Sequence, residues 1–139
     1  MSGILLDTNV VSEMRKPPAR RSDEFNQWAQ GLIESEAYLS VVTITEIEKG
    51  ILLLENKDQQ QAAVLRRWFI ERVLTIYKKR ILPVSLTSAR LAAGLGLIQP
   101  ISMPDAYLAA TALEHKLVLA TRNTSDFTGT GVTLVNPWE

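Results

Sequence analysis

Four carboxylates stand where an α/β chain would gather its chemistry: Asp7, Glu46, Asp105 and Asp126. Asp7 directly follows the apolar run Gly3-Ile4-Leu5-Leu6. Glu46 comes just after a second apolar run, and Asp126 lies in the polar stretch after a later one. Ligands of open α/β sheets collect outside the carboxyl ends of the strands, so acids at those ends are candidates for one shared site. Asp105 joins them only if a helix begins beside it, and its neighbour Pro104 suits a first helical turn. Each acid also has a plain structural reading. Asp7 can cap a helix, Thr43-Ile44-Thr45-Glu46 has the spacing of a capping box, and Asp126 can form an Asx turn. Taken together they need more than that. Two carboxylates ~4 Å apart repel by roughly 4 kcal/mol at an effective dielectric near ~20, so a converging set requires a cation or shared protons. With 0 Cys and 1 His, thiolate and imidazole metal sites are excluded by count. Hard oxygen donors alone point to Mg²⁺, with Mn²⁺ as the alternative, working on a phosphate substrate.

Other chemistries find little support. His115 follows Asp105 by ten residues, about 15 Å along a helix axis, and reads as a partner for the C-terminal dipole of its helix. The sequence has no G-x-x-x-x-G-K-[ST], no G-x-G-x-x-G and no G-x-S-x-G; Gly94-Leu95-Gly96 alone does not make a phosphate loop.

The elements that must position these acids alternate between strand and helix. Gly3–Leu6 reads as a buried strand, and the following helix ends at Pro17-Pro18. Ser22 caps the next helix, with Phe25, Trp28, Ala29, Leu32 and Ile33 at helical spacing. Tyr38–Val42 reads as the second strand, followed by a helix from Thr43 into Leu54. A polar turn, Asn56–Gln61, precedes a long helix reaching Ile76, with Leu65, Phe69, Val73 and Ile76 on one face. Ile81-Leu82-Pro83-Val84 is a short strand whose Pro suggests an edge position. Helices over 87–97 and 104–116, a strand over 117–121, a loop over 122–130 and a last strand over 132–135 complete the pattern. The continuous apolar strands argue for a parallel sheet covered on both faces, so the fold class is α/β.

Length and composition set the outer limits. A chain of 139 residues with 46% hydrophobic and 22% charged side chains is expected to form a single domain over residues 1–139. No apolar run approaches the ~20 residues of a membrane span, and the N-terminus lacks the features of a signal peptide, so a soluble, cytoplasmic protein is expected. The formal net charge is zero, but it is unevenly spread. Residues 60–104 carry seven basic side chains (Arg66, Arg67, Arg72, Lys78, Lys79, Arg80 and Arg90) against the single acid Glu71. Such a segment is either a solvated helix face or a surface that guides a polyphosphate.

Several motifs in order resemble those of PIN-domain nucleases: Leu6-Asp7-Thr8-Asn9, Ser40-Val41-Val42-Thr43-Ile44-Thr45-Glu46, Pro104-Asp105-Ala106 continuing through Ala109-Ala110-Thr111-Ala112, and Thr121-Arg122-Asn123 with Asp126-Phe127. The ending Asn136-Pro137-Trp138-Glu139 resembles that of the FitB-like branch of VapC-type toxins. The likeness extends over essentially the whole chain. It implies a PIN-like parallel sheet with an acidic pocket, Mg²⁺-dependent endoribonuclease activity, a toxin homodimer, and a cognate antitoxin: a small DNA-binding protein that holds the toxin inactive in a hetero-oligomer. On this reading Asp7 and Asp105 are direct metal ligands. Glu46 and Asp126 complete the acidic set, through water or at a second metal. Thr8, Thr121 and Asn123 hydrogen-bond metal waters or phosphate oxygens. A metal-activated water, with no protein nucleophile, attacks the RNA phosphodiester.

Three readings from other classes stand beside it. A phosphoaspartate receiver wants a paired acid after its first strand and a Lys after its last, whereas Thr8 follows Asp7 and Asn136-Pro137 follows the final strand. A D-x-D phosphatase would need an acid where Asn9 stands. A catalytically silent PIN-like binding module would keep the fold and a partner surface. For that surface, the consecutive Ile51-Leu52-Leu53-Leu54 sweep roughly 300° of a helix and cannot all enter one core. Trp28, Trp68 and Phe69 lie on neighbouring helices and are candidates for one groove, with at least one of them expected in the core instead; such a groove suits a partner's amphipathic helix. A partner's Arg or Lys would then pair with the acids.

Overall fold

Alternation along β1 (Ile4–Leu6) organises the molecule, because successive strand residues face opposite sides of a sheet. Leu5 and Leu6 are both fully buried, in different clusters. Leu6 joins Val10, Phe25, Leu39, Ile51, Phe69 and Val73 on one face, whereas Leu5 joins Leu95, Leu108, Leu119 and Phe127 on the other. The computed structural model describes residues 3–139. Its strands β1, β2 (Ala37–Ser40), β3 (Ile81–Leu82), β4 (Val118–Ala120) and β5 (Leu134–Val135) form one sheet in the order β3-β2-β1-β4-β5. Every pairing is parallel. This is the expected α/β architecture, and β3, with Pro83 just beyond it, is an edge strand as its proline suggested.

The helices follow from local sequence with some shifts. α1 (Thr8–Arg15) is capped by Asp7 and stops before Pro17-Pro18. α2 (Asp23–Gly31) is capped by Ser22, whose side chain accepts from the Phe25 N–H. α3 (Val41–Glu55) begins two residues earlier than its sequence suggests, capped by the buried Ser40 through the Val42 N–H. The Thr43–Glu46 capping box is therefore corrected: Thr43 is already inside the helix, and Glu46 lies in its second turn. The β-branched Val41-Val42 looks like strand, but a cap at the end of β2 turns the chain first.

α4 (Gln59–Trp68) does not run on as a regular helix to Ile76; it widens into a π-helical segment over Phe69–Leu74. At its end both the N–H and the hydroxyl of Thr75 bond the Ile70 carbonyl, five residues back. α5 (Leu86–Ile98) and α6 (Met103–His115) pack against each other on the Leu5 face. α6 ends on Lys116, a left-handed residue with φ 56°, whose N–H satisfies the last-turn carbonyls of Ala112 and Leu113. No helix of the described residues is long and apolar enough to cross a membrane.

Candidate active site

The central strand ends at the site. Asp7 follows β1, its backbone N–H is held by the Ala120 carbonyl of β4 at 2.9 Å, and its side chain is only 8% exposed. Its Oδ1 accepts from the Thr8 N–H at 2.7 Å, the capping contact of α1. Its Oδ2 accepts from the buried Thr121 hydroxyl at 2.7 Å and more distantly from Asn9 Nδ2 at 3.4 Å. Capping and catalysis are thus compatible roles for one carboxylate.

Glu46 reaches the same corner from α3. The Thr8 hydroxyl donates to Glu46 Oε1 at 2.5 Å and lies 3.2 Å from the hydroxyl of the buried Thr43. Asp105 lies in the first turn of α6, where Ser102 caps its N–H at 3.2 Å. The helix that Asp105 needed does start there. Asp126 lies in a short 3-10 turn, Thr124–Phe127, after β4, and Gln99 Nε2 donates to its carbonyl at 3.1 Å. Asn123 contributes its backbone N–H to Thr121 Oγ1 at 3.1 Å, and its side chain is exposed.

Electrostatics tie these acids together. Burial pushes the Asp7 carboxyl above its ordinary range; the Thr121 and Thr8 hydrogen bonds offset part of this, while the charges of Asp105 and Glu46 add to it. Burial likewise raises Asp105, eased by a hydrogen bond from Ser102 and reinforced by Asp126 and Glu46. Each of the four acids therefore lies within the electrostatic reach of another. Among the described residues no three acidic or imidazole side chains are close enough together to enclose a metal ion outright. Mg²⁺ makes no such demand. It keeps several waters and is held by one or two carboxylates plus substrate phosphate. An all-oxygen donor set with two carboxyls raised by burial and mutual repulsion fits that ion.

Two residues to which the sequence assigned no part in the site also serve it. Asn9 bridges Asp7, Thr121 Oγ1 at 3.5 Å and the Arg122 N–H at 3.3 Å, and Thr43 backs the Thr8 hydroxyl. Both sit in the quoted motifs, two residues after Asp7 and three before Glu46; that periodicity was the available signal. Other expectations need correction. Phe69 is core, as expected for at least one of the three aromatics, but Trp28 packs beside Phe25 and Trp68 lines cavities that Trp28 does not, so these two share no groove. Within the basic segment, Arg66 pairs with Glu48 and Glu55. Arg80 is turned inward, donating to the carbonyls of Glu34, Ala37 and Ile76.

Comparison with known proteins accords with this geometry. The model of the family described as PIN domain matches residues 4–130. Toxin FitB of Neisseria gonorrhoeae is 35% identical over 140 residues, covering 97% of this chain and 98% of that protein. VapC ribonuclease Y4jK of Sinorhizobium fredii is 32% identical over 143 residues, covering 98% of each. A crystal structure of FitAcB from Neisseria gonorrhoeae superimposes with a TM-score of 0.88 at 34% identity, covering 98% of this chain and 99% of that one.

Proposed function

The chain belongs to the PIN-domain family, in its FitB-like branch, and from that premise we propose that it is a metal-dependent endoribonuclease, the toxin of a toxin–antitoxin pair. One observation carries the reading: Asp7, buried at the carboxyl end of the central strand, is held by Thr121 within the repulsive reach of Asp105 and Glu46. A single domain over residues 1–139 working in the cytoplasm accords with it.

Asp7 and Asp105 are the residues that would hold Mg²⁺, or Mn²⁺, with Glu46 and Asp126 completing the acidic set. Bound there, the ion would lower the pKa of a water and neutralise charge developing on the scissile phosphate. The protein's own part is orientation. Thr121 and the Thr8 N–H fix the two Asp7 oxygens, so that the carboxylate is not free to rotate. The Thr8 hydroxyl keeps Glu46 directed toward the same corner. Thr8, Thr121 and Asn123 remain the candidates for contacts to metal waters or phosphate oxygens, with Asn123 contributing its N–H to Thr121.

A cognate antitoxin and a homodimer belong to the same proposal. Leu52 and Leu53 are 51% and 57% exposed on α3 and Val64 is 64% exposed on α4, a surface for an antitoxin helix. Leu86, Leu97 and Ile98, at 77%, 91% and 63%, leave the ends of α5 apolar and open, a surface for a second toxin subunit.

The test is cleavage of mixed RNA by the purified protein with Mg²⁺ or with EDTA, alongside Asp7→Asn. Cleavage is expected only with the metal and should fall by orders of magnitude in the variant while its fold survives. Wild-type cleavage by Asp7→Asn would remove the assignment, and metal-independent cleavage would remove the mechanism. Co-expression with the adjacent small open reading frame tests the antitoxin: no complex would count against it.

A further inference from the structure

Arg122 directly follows the strand-end residue Thr121, and among the described residues its guanidinium makes no ion pair. It lies instead over the indole of Trp138, 5.1 Å from the ring centroid. The pair is built rather than incidental. Asn136 grips both members, its Oδ1 accepting from the Trp138 N–H at 2.9 Å and its Nδ2 donating to the Arg122 carbonyl at 3.4 Å. Asn9 Oδ1 accepts from the Arg122 N–H, tying the pair to the residue that also touches Asp7. Phe25 packs against the Trp138 ring as well, tilted to it with centroids 5.0 Å apart.

These two side chains line a cavity of about 460 Å³, and Thr8 and Glu46 of the candidate active site form part of its wall. Trp68 supplies a second aromatic surface, and Arg15, exposed and unpaired among the described residues, a second cation. Lys16 is different: its ammonium is held by Glu13 at 2.8 Å. Resting on the nuclease reading above, we propose that this cavity is the subsite for a nucleotide of single-stranded RNA flanking the scissile phosphate. Arg122 takes a backbone phosphate, and a base stacks with the Arg122–Trp138 pair or on Trp68.

The chemistry favours RNA over a peptide occupant. Flat aromatic faces beside unpaired guanidinium groups bind bases and phosphates without demanding sequence, and base–aromatic stacking depends only on the π face that every base has. Arg is also the side chain whose fork matches a phosphate. The cations that guide RNA, Arg122 and Arg15, are thereby placed beside the carboxylates, outside the basic segment 60–104.

The experiment has a cleavage arm and a binding arm. In EDTA, a fluorescein-labelled mixed-sequence oligoribonucleotide is titrated against the protein, reading anisotropy, tryptophan fluorescence and the salt dependence of affinity. With Mg²⁺, KM and kcat are read separately. Arg122→Gln should weaken binding and raise KM about tenfold with kcat within about twofold, and flatten the salt slope by roughly 0.7, the value for one phosphate contact on a single strand. Arg122→Lys should fall between, since it keeps charge but not the planar stack. Trp138→Phe and Trp68→Phe should between them remove most of the RNA-induced change in tryptophan fluorescence, and identical changes in wild type and both variants would overturn the stacking. Arg90→Gln, on α5, should match the wild type. Unchanged KM, affinity and salt slope in Arg122→Gln would overturn the proposal. So would unchanged RNA affinity with weakened capture of a co-expressed antitoxin, which would make the cavity a protein-docking surface. If the wild type cuts no RNA at all, the nuclease reading fails by itself, and the binding arm still decides the subsite.

Discussion

The Thr121 hydroxyl donates to Asp7 Oδ2 at 2.7 Å, joining residues 114 positions apart at the ends of β1 and β4. Both side chains are buried, and the same hydroxyl oxygen also accepts from the Asn123 N–H at 3.1 Å. One small polar group thus orients the candidate metal ligand and pins the loop that leads to Asp126.

Thr121→Val keeps the shape and removes that group. RNA cleavage, measured against Mg²⁺ concentration, should show a roughly 10–100-fold loss of activity or metal affinity, the usual cost of losing an outer partner of a ligand. Stability should fall by about 1–3 kcal/mol because the Asn123 N–H also loses its acceptor. Thr121→Ser should restore most of both. Full activity in Thr121→Val would remove the hydroxyl from the site's machinery.

Acidity should stabilise this site, opposite to the usual behaviour of a paired carboxylate. The folded pKa of Asp7 lies above its ordinary 3.8, and Asp105 is shifted the same way, so ionising either costs the fold stability. That cost is complete above the folded pKa and vanishes below the unfolded one, so stability contributed here rises as pH falls through the folded pKa. Denaturant unfolding in EDTA between pH 7 and pH 4 should show wild type gaining on Asp7→Asn as the pH drops. A constant difference between the two would contradict it.

Ser40→Ala should cost about 1 kcal/mol, the ordinary value of an N-cap, since Ser40 caps α3 through the Val42 N–H. Urea unfolding midpoints measure it. Loss at Thr43→Ala but none at Ser40→Ala would restore the capping box that the sequence suggested.

Lys116→Gly should stabilise the protein by about 1 kcal/mol, because Lys116 closes α6 at φ 56° where a Cβ is penalised and glycine is not. A thermal melt with an unchanged or lower midpoint would show that the Lys side chain compensates for the strain.

The sheet was legible because its signals are local. Apolar runs bounded by helical periodicity located all five strands, and Pro83 marked the edge. The acids were legible for a related reason: Asp7 and Asp126 follow strands, while Glu46 and Asp105 stand in early turns of helices. What escaped was set by tertiary context. Val41 and Val42 have strand propensity, but the cap from Ser40 draws them into α3. Nothing in Phe69–Leu74 distinguishes a π-helical turn from an α-helical one, since the apolar spacing suits both. Arg66 and Arg80 read as free charges until the folded chain supplied Glu48, Glu55 and three carbonyls. Arg122 and Trp138 meet only because Asn136 and Asn9 hold their segments together.

The pairing of β1 with β4 also sets a timetable for synthesis. Ile4, Leu5 and Leu6 find their partners at Val118, Leu119 and Ala120, so the central strand leaves the ribosome early and waits for more than a hundred residues before one of its edges is covered. Contacts so distant in sequence form late, after the loop between them has closed. Asp7 can cap α1 in a nascent chain, but it cannot meet Thr121 until synthesis has passed that residue. A chain interrupted before β4 would carry Asp7, Glu46 and even Asp105 without the strand that aligns them, and would be an exposed-edge fragment for proteases to clear instead of an assembled PIN domain.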